Sequence, residues 1–488
     1  MITLHSAELF QIPLSTRMPF RYGIATLTEL PHAVLRLTFD LDGARHTGLS
    51  ADSLPPKWFT KDPTRALDDE VAEIRRVLCA AVTHARAIRA ANPFAFWREL
   101  YATQAAWAAR EKLPPLLAHF GTSFVERALI DACCRAGNTT FAAALRENLL
   151  GIDLGALHPM LAGTTPRDWL PAAPATEVFA RHTVGLSDPI NADEIPPAER
   201  LDDGLPQSLM ECIRFYGLRH FKIKINGEGP RDRARLIRMT EVLSAECGND
   251  FAFSLDGNES WRDAAAFVDY ARGLLAEPAL SRLWPRLLFI EQPWHREVAL
   301  TPAVGDALRA WPERPPIIID ESDAEIGSLP AALALGYAGT SHKNCKGVFK
   351  SVANACLLAH RRSTGLTAGR ALGQPALMSG EDLVNVGPVA LTQDLAAQAA
   401  LGVTSVERNG HHYFAGLSQF PPAWQAHTLA HHGDLFVRHS AGRPAGPTGG
   451  WSRLDVRAGK VNLGSVNAAA FGCAGELDFS ILAAERLA

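Results

Sequence analysis

The sequence predicts an α/β protein: a (β/α) barrel with an α+β unit ahead of it. Three observations carry this. From about residue 175 short apolar strands alternate with amphipathic helical stretches, the rhythm of parallel strands joined by right-handed crossovers. Successive strands end on charged residues, at positions 224, 256, 291, 320 and 343, close to the roughly 30 residues of one βα unit. The preceding 160 residues read differently, first with period two and then with a helical period.

In chain order, residues 1–42 alternate, and HAVLRLTFDLDG is a strand ending at a turn that carries Asp42 and Gly43. Between Pro63 and Leu150 the apolar spacing turns helical, as in RALDDEVAEIRRVLCAAVTHARAIRA and SFVERALIDACCRAGN. Residues 1–160 therefore form one α+β unit. After a Pro-, Thr- and Ala-containing stretch, the barrel occupies 175–426, with strands at VFARHTVG, FKIKI, FAFSLD, LLFIEQP, PIIIDES and near GTSHK. Beyond His427 the chain becomes Gly- and Pro-rich, with two or three short strands in 427–488 and no internal repeat.

Composition narrows the function. A chain of 488 residues with 47% hydrophobic and 20% charged content is an ordinary folded protein, not a disordered, collagenous or coiled-coil one. A net charge of -4 gives no electrostatic reason to expect nucleic acid or an anionic membrane as partner. The eight cysteines include no C-x-x-C pair and are expected to be reduced thiols. No basic segment followed by an apolar run opens the chain, and no run of about 18 apolar residues suits a membrane, so a cytoplasmic location is expected. Dinucleotide, P-loop, zinc-protease and nucleophile-elbow motifs are absent.

The chemistry lies in the charges on apolar strands. Lys222 and Lys224 sit in FKIKI, Asp256 ends FAFSLD, Glu291 follows LLFI, Asp320 follows PIII, and Lys343 follows GTSH. All fall at or near C-terminal strand ends, the face of a barrel on which active sites are built. Three carboxylates converging there repel one another unless a divalent cation neutralises them, and hard oxygen donors favour Mg²⁺ or Mn²⁺ over zinc. A lysine beside such a cation has a lowered pKa and can act as a base.

The series KIK, DGN, EQP, DES and a following lysine resembles the enolase superfamily, and within it the muconate lactonizing enzyme subgroup of the mandelate racemase/muconate lactonizing enzyme family. The resemblance implies a modified TIM barrel whose N-terminal α+β capping domain is completed by C-terminal strands. It also implies Asp256, Glu291 and Asp320 as metal ligands, with Lys224 and Lys343 as acid/base groups on opposite faces of the substrate. Lys222, on the same strand face as Lys224, either tunes it or touches the substrate carboxylate. The implied reaction is abstraction of the proton α to a carboxylate of a small acid through an enediolate, leading to a racemase/epimerase, a cycloisomerase or a lyase. Other readings are an acid-sugar dehydratase of the same superfamily and a non-catalytic barrel scaffold. A homo-oligomer stays open, since relatives commonly assemble.

Further residues are candidates for substrate contact. Asn258 follows Asp256 by two positions and reads equally as site support or as a local turn. In SHKNCKGVFK, a single Gly347 stands where relatives carry a glycine pair, and Lys346 competes with Lys343 for the role of second lysine. Glu381 follows the seventh strand, or starts a helix. Glu407, His411 and His412 are placed at the mouth near the eighth strand, and Phe20, Arg21 and Tyr22 resemble a loop that closes over substrate, with an exposed hairpin edge as the other reading.

Overall fold

The computed structural model describes residues 1–22, 24–365, 375–440 and 450–487, with Tyr22 and Ala25 described as backbone only. The alternating N-terminus forms three long antiparallel strands, β1 (Ile2–Tyr22), β2 (Ala25–Leu41) and β3 (Ala44–Ser53), with β2 in the centre. Three helices follow: α1 (Leu67–Arg86), α2 (Pro93–Arg110) and α3 (Pro115–Ala136). Asn92 caps α2 by accepting the Ala95 N–H at 2.8 Å, and Pro93 fills the first turn where no donor is needed.

Helix α3 is buried along nearly its whole length, which explains its lack of a polar face. On one side it lies directly on β3, because a Cβ at Gly48 would collide with the Ala128 carbonyl. Asp131 there accepts the Leu49 N–H at 3.0 Å, and Arg127 donates to the Ala51 carbonyl at 2.7 Å. On its other side Glu126 accepts the Phe349 N–H at 2.5 Å, capping a barrel helix whose N-terminal Gly347 has φ 100°.

Burial pushes the Glu126 carboxyl up to about 7, against the downward pull of the Phe349 and Val348 amides and Arg127. A carboxyl raised in the fold stabilises it when protonated, and that contribution fades as pH rises from its unfolded value toward about 7. Glu126→Gln keeps an acceptor for Phe349 and is expected to be more stable than the parent at pH 8, by up to about 3 kcal/mol. The gap should close toward pH 4.5. Urea melts showing the same difference at both pH values would count against this.

The barrel has eight parallel strands: β4 (Glu177–Val184), β5 (His220–Lys224), β6 (Ala252–Asp256), β7 (Leu287–Glu291), β8 (Ile317–Ile319), β9 (Gly339–His342), β10 (Leu377–Gly380) and β11 (Ser405–Arg408). It closes where β11 pairs with β4. Helices separate the strands, as the sequence rhythm requires. Within the barrel, Phe289, Ile318 and Ala338 form a small apolar layer of their own, and two residues beyond Phe289 and Ile318 come Glu291 and Asp320.

The C-terminal segment serves three places, which refines the expectation that it returns to the cap. Strand β12 (Phe436–His439) pairs with β13 (Trp451–Leu454), and β14 (Lys460–Asn462) runs antiparallel along β4. The start of β4 extends below β5, whose pairing begins only at Arg181, and this leaves an edge for β14. Among the described residues, β15 (Glu485–Arg486) is the strand that joins the cap sheet, beside β1. Among the described residues no helix is long and apolar enough to cross a membrane.

Candidate active site

Register places the charges. Along the parallel ladder Lys224 lies opposite Asp256, and Asp256 opposite Glu291. Asp320 follows directly on β8, Lys343 on β9, Glu381 on β10, and Glu407 is within β11. Because β5 and β9 are four strands apart in a closed ring of eight, Lys224 and Lys343 stand on opposite sides of the mouth.

Lys222, one inward step below Lys224, is the centre of the cluster. Its Nζ is 3.0 Å from Asp256, 2.7 Å from Glu291, 2.7 Å from Glu381 and 3.0 Å from Glu407. Burial disfavours its charge, but those four carboxylates outweigh burial and hold it well above the ordinary lysine range. Lys224 bonds Asp256 at 2.5 Å, and Asp256 also accepts the Asn258 N–H at 2.8 Å. Asn258 has φ 44° and borders the same cavity as Lys224 and Asp256.

Asp320 receives Lys343 at 2.6 Å on one oxygen, and Lys346 at 3.0 Å and Ser341 at 2.5 Å on the other. Lys343 borders the cavity, whereas Lys346 is enclosed between Asp320, Ser341 and Asp323. Burial opposes the charge of Lys343 too, and Asp320 outweighs it, so its pKa lies above the ordinary lysine range.

The mouth opens into a narrow cavity of about 30 Å³. Lys222, Lys224, Asp256, Asp320 and Lys343 line it on the polar side, and Phe20, Pro55, Trp58, Leu383 and Val384 on the apolar side. Phe20 stacks on Tyr413 at 4.1 Å, and the Lys343 ammonium lies 4.8 Å from the Trp58 ring centre. The side chain of Tyr22 lies outside the described residues.

Other candidates fall elsewhere. Glu381 lies beneath the cavity, bonded to Lys222, Arg181 and Ser379. His411 does not reach the mouth. Its Nε2 is 3.0 Å from His182 Nδ1 on the outer side of the barrel wall, because residues after β11 turn into a short helix away from the axis.

Sequence reasoning missed three features. Arg181 reaches inward from β4 to Glu381 and lies over Phe289. Glu321, beside Asp320, borders the cavity with Oε2 unpartnered among the described residues; burial, then Glu259 and Asp320, push its carboxyl up to about 7. The third is a tie between cap and barrel. Arg296 donates to the Trp58 and Phe59 carbonyls at 2.8 and 2.9 Å and grips Glu259 at 2.7 Å, while Lys61 bonds Glu259 at 2.7 Å and the Asn258 carbonyl at 2.8 Å. Burial opposes ionisation of Glu259, yet Arg296 and Lys61 bring it down to about 2.

The donor set suits a divalent cation. Asp256, Glu291 and Asp320 offer hard oxygens at the ends of three adjacent strands, each side chain only 1–2% exposed. Burial, Asp256 and Glu381 together push Glu291 well above the ordinary carboxylate range despite Lys222, the sign of negative charge in excess at that point.

No family model and no curated protein matches the sequence. Solved structures do match. A muconate lactonizing enzyme from Pseudomonas fluorescens complexed with muconolactone has 16% identity and TM-score 0.56, with 98% of this chain and 97% of that one covered. An N-succinyl Arg/Lys racemase from Bacillus cereus has 15% identity and TM-score 0.55, with 96% and 98% covered. An enolase from Bradyrhizobium complexed with magnesium and mandelic acid has 16% identity and TM-score 0.51, with 95% and 97% covered. Over nearly its whole length, cap and barrel together, the chain thus has the fold of muconate lactonizing enzymes and related enolase-superfamily proteins.

Proposed function

We propose that the chain is an enolase-superfamily enzyme of the muconate lactonizing type, which removes the proton α to the carboxylate of a small acid and acts as a racemase/epimerase, cycloisomerase or lyase. The observation that carries this reading is the pair Lys224 and Lys343, on opposite sides of one cavity bordered by Asp256 and Asp320, with Glu291 ending the strand between those two. Those three carboxylates would hold Mg²⁺ or Mn²⁺, which when bound supplies positive charge against the negative charge growing on the substrate carboxylate. Lys224 or Lys343 takes the α-proton at its Nζ. The lysine opposite returns a proton to the other face, protonates a leaving group or holds charge. Trp58, Phe20, Leu383 and Val384 exclude water above the reacting carbon.

Incubating the protein with carboxylic acids in D₂O and Mg²⁺, including N-acylamino acids, dipeptides and lactone precursors, tests this. Deuterium is expected at the α-carbon of at least one acid, and chelation of the metal should abolish the exchange. The same superfamily's acid-sugar dehydratases would show instead as loss of water from a sugar acid. A second reading, a non-catalytic barrel, is favoured by the internal pairing of Lys222 and Lys346 with the carboxylates. It expects no bound divalent ion at this cluster under Mg²⁺-replete conditions.

Two changes outside the lysines probe the cover. Trp58→Ala removes the aromatic wall and is expected to raise KM about tenfold, with a smaller change in kcat. Arg296→Ala, which leaves every cavity-lining side chain in place but frees the Trp58 carbonyl, should reproduce the KM effect. A KM unchanged in both variants would remove the cap loop from substrate binding.

A further inference from the structure

On the outer side of the barrel wall, away from the carboxylates, His182, Cys212 and His412 come together. Alternation along β4 sends Arg181 and Thr183 inward, to Glu381 and Glu407, and so turns His182 outward. Cys212 belongs to the helix Leu209–Tyr216 that follows β4, and His412 to the short helix Gly410–Tyr413 that follows β11. One ligand atom from each lies within 4.8 Å of the other two, and all three residues are buried. Cys212 Sγ and His412 Nδ1 are 3.5 Å apart.

Polar groups from outside the triad lie beside both rings. His182 Nδ1 is 3.0 Å from His411 Nε2. His412 Nε2 is 3.8 Å from Asp188 Oδ2, and that carboxylate is fixed by the Tyr413 hydroxyl at 2.5 Å and the Gly185 N–H at 2.7 Å. Metal-bound imidazoles carry this arrangement, one nitrogen on the ion and the other on a carboxylate or acceptor that sets tautomer and ring angle. His411 Nδ1 is buried without a partner among the described residues, so the polar group behind His182 is itself not satisfied by protein.

We propose that His182, Cys212 and His412 form a zinc site that stitches the seam at which the first and last barrel strands meet. Two imidazoles and a thiolate are borderline and soft donors that select Zn²⁺ and reject Mg²⁺, the opposite preference to the all-oxygen set inside the barrel. Binding expels the Cys212 thiol proton to solvent as the sulfur–metal bond forms. The thiolate and the Asp188 carboxylate then balance the ion's two charges. Three protein ligands leave a fourth tetrahedral position for water. The site joins β4 and the helix after it to the helix after β11, some 200 residues later in the chain, and it stands independently of the catalytic proposal.

Zinc content and cobalt spectroscopy on the full-length protein test it. Protein equilibrated with Zn²⁺ and dialysed against Mg²⁺ buffer is expected to retain one zinc ion per chain, and Asp256→Asn should retain it as well. Replacement by Co²⁺ should give a thiolate-to-cobalt charge-transfer band that Cys212→Ser lacks, and Asp188→Asn should weaken binding about tenfold. Failure of the parent protein to keep zinc, or a cobalt spectrum without the thiolate band, overturns the proposal, and neither readout depends on a variant folding. Loss of zinc in Asp256→Asn with retention in Cys212→Ser would place the ion in the barrel mouth and overturn it equally.

Discussion

Lys224→Ala is expected to reduce exchange of a carboxylate's α-proton with D₂O by about 10²–10⁴-fold, and Lys343→Ala to do the same for the opposite face. Neither change should unfold the protein. Asp256 keeps Lys222 and Asn258 when Lys224 is removed, and Asp320 keeps Lys346 and Ser341 when Lys343 is removed. The pattern of residual exchange also sorts the reaction types. In a two-base racemase each variant loses exchange of one enantiomer and retains it for the other, because each lysine serves its own side of the cavity. In a cycloisomerase or lyase a single lysine is the base, and only its variant loses exchange. Parent-like exchange in both variants would end the assignment of these residues. Lys346→Ala is the internal comparison: enclosed behind Asp320, it is expected to act on Asp320 and to leave the side on which exchange occurs unchanged.

Why these lysines were legible in the sequence, and other parts of the site were not, follows from what a linear pattern can hold. A charge inside an apolar strand violates its surroundings, so Lys222, Lys224, Asp256, Glu291 and Asp320 stood out one by one. Their common spacing then implied a shared face. The eight-stranded barrel came from the same rhythm. The tie formed by Arg296, Glu259 and Lys61 has no such mark. It links the cap loop at Trp58 and Phe59 to barrel loops some 200 residues later, and on its own each residue is an unremarkable surface-type charge. Arg181 could have been found by the alternation that found Lys222, but it lies mid-strand rather than at a strand end. His411 and His412 were placed at the mouth because they follow the last strand closely. The helical turn at Gly410–Tyr413 instead carries them over the barrel's outer side, a change of direction that four residues without a capping signal do not announce.

The largest effect on stability is expected from Lys222→Met. The substitution keeps the length and apolar stem of the side chain while removing the one ammonium that touches Asp256, Glu291, Glu381 and Glu407 together. Partners remain for three of these: Lys224 for Asp256, Arg181 for Glu381 and Thr183 for Glu407. Glu291 keeps no cation within bonding distance among the described residues. Breaking a buried pair by removing one partner costs about 3–5 kcal/mol, and here one cation answers both the Asp256 and the Glu407 carboxylates, so the loss should reach at least that range. The pH response should weaken. In the parent protein burial opposes ionisation of Glu407, but Lys222, followed by Lys224 and Lys343, outweighs it and holds the carboxyl well below the ordinary range, so its contribution is present above the unfolded pKa and is lost on acidification. Without Lys222 burial is opposed less strongly, the folded pKa rises, and the variant should gain stability relative to the parent as pH falls from 8 to 5. Glu407→Gln in the Lys222→Met background removes one of the stranded charges and should recover part of the loss at pH 8. A Lys222→Met protein within about 1 kcal/mol of the parent at pH 8, the size of an exposed ion pair, would mean that Asp256 and Glu407 are not held ionised by this lysine.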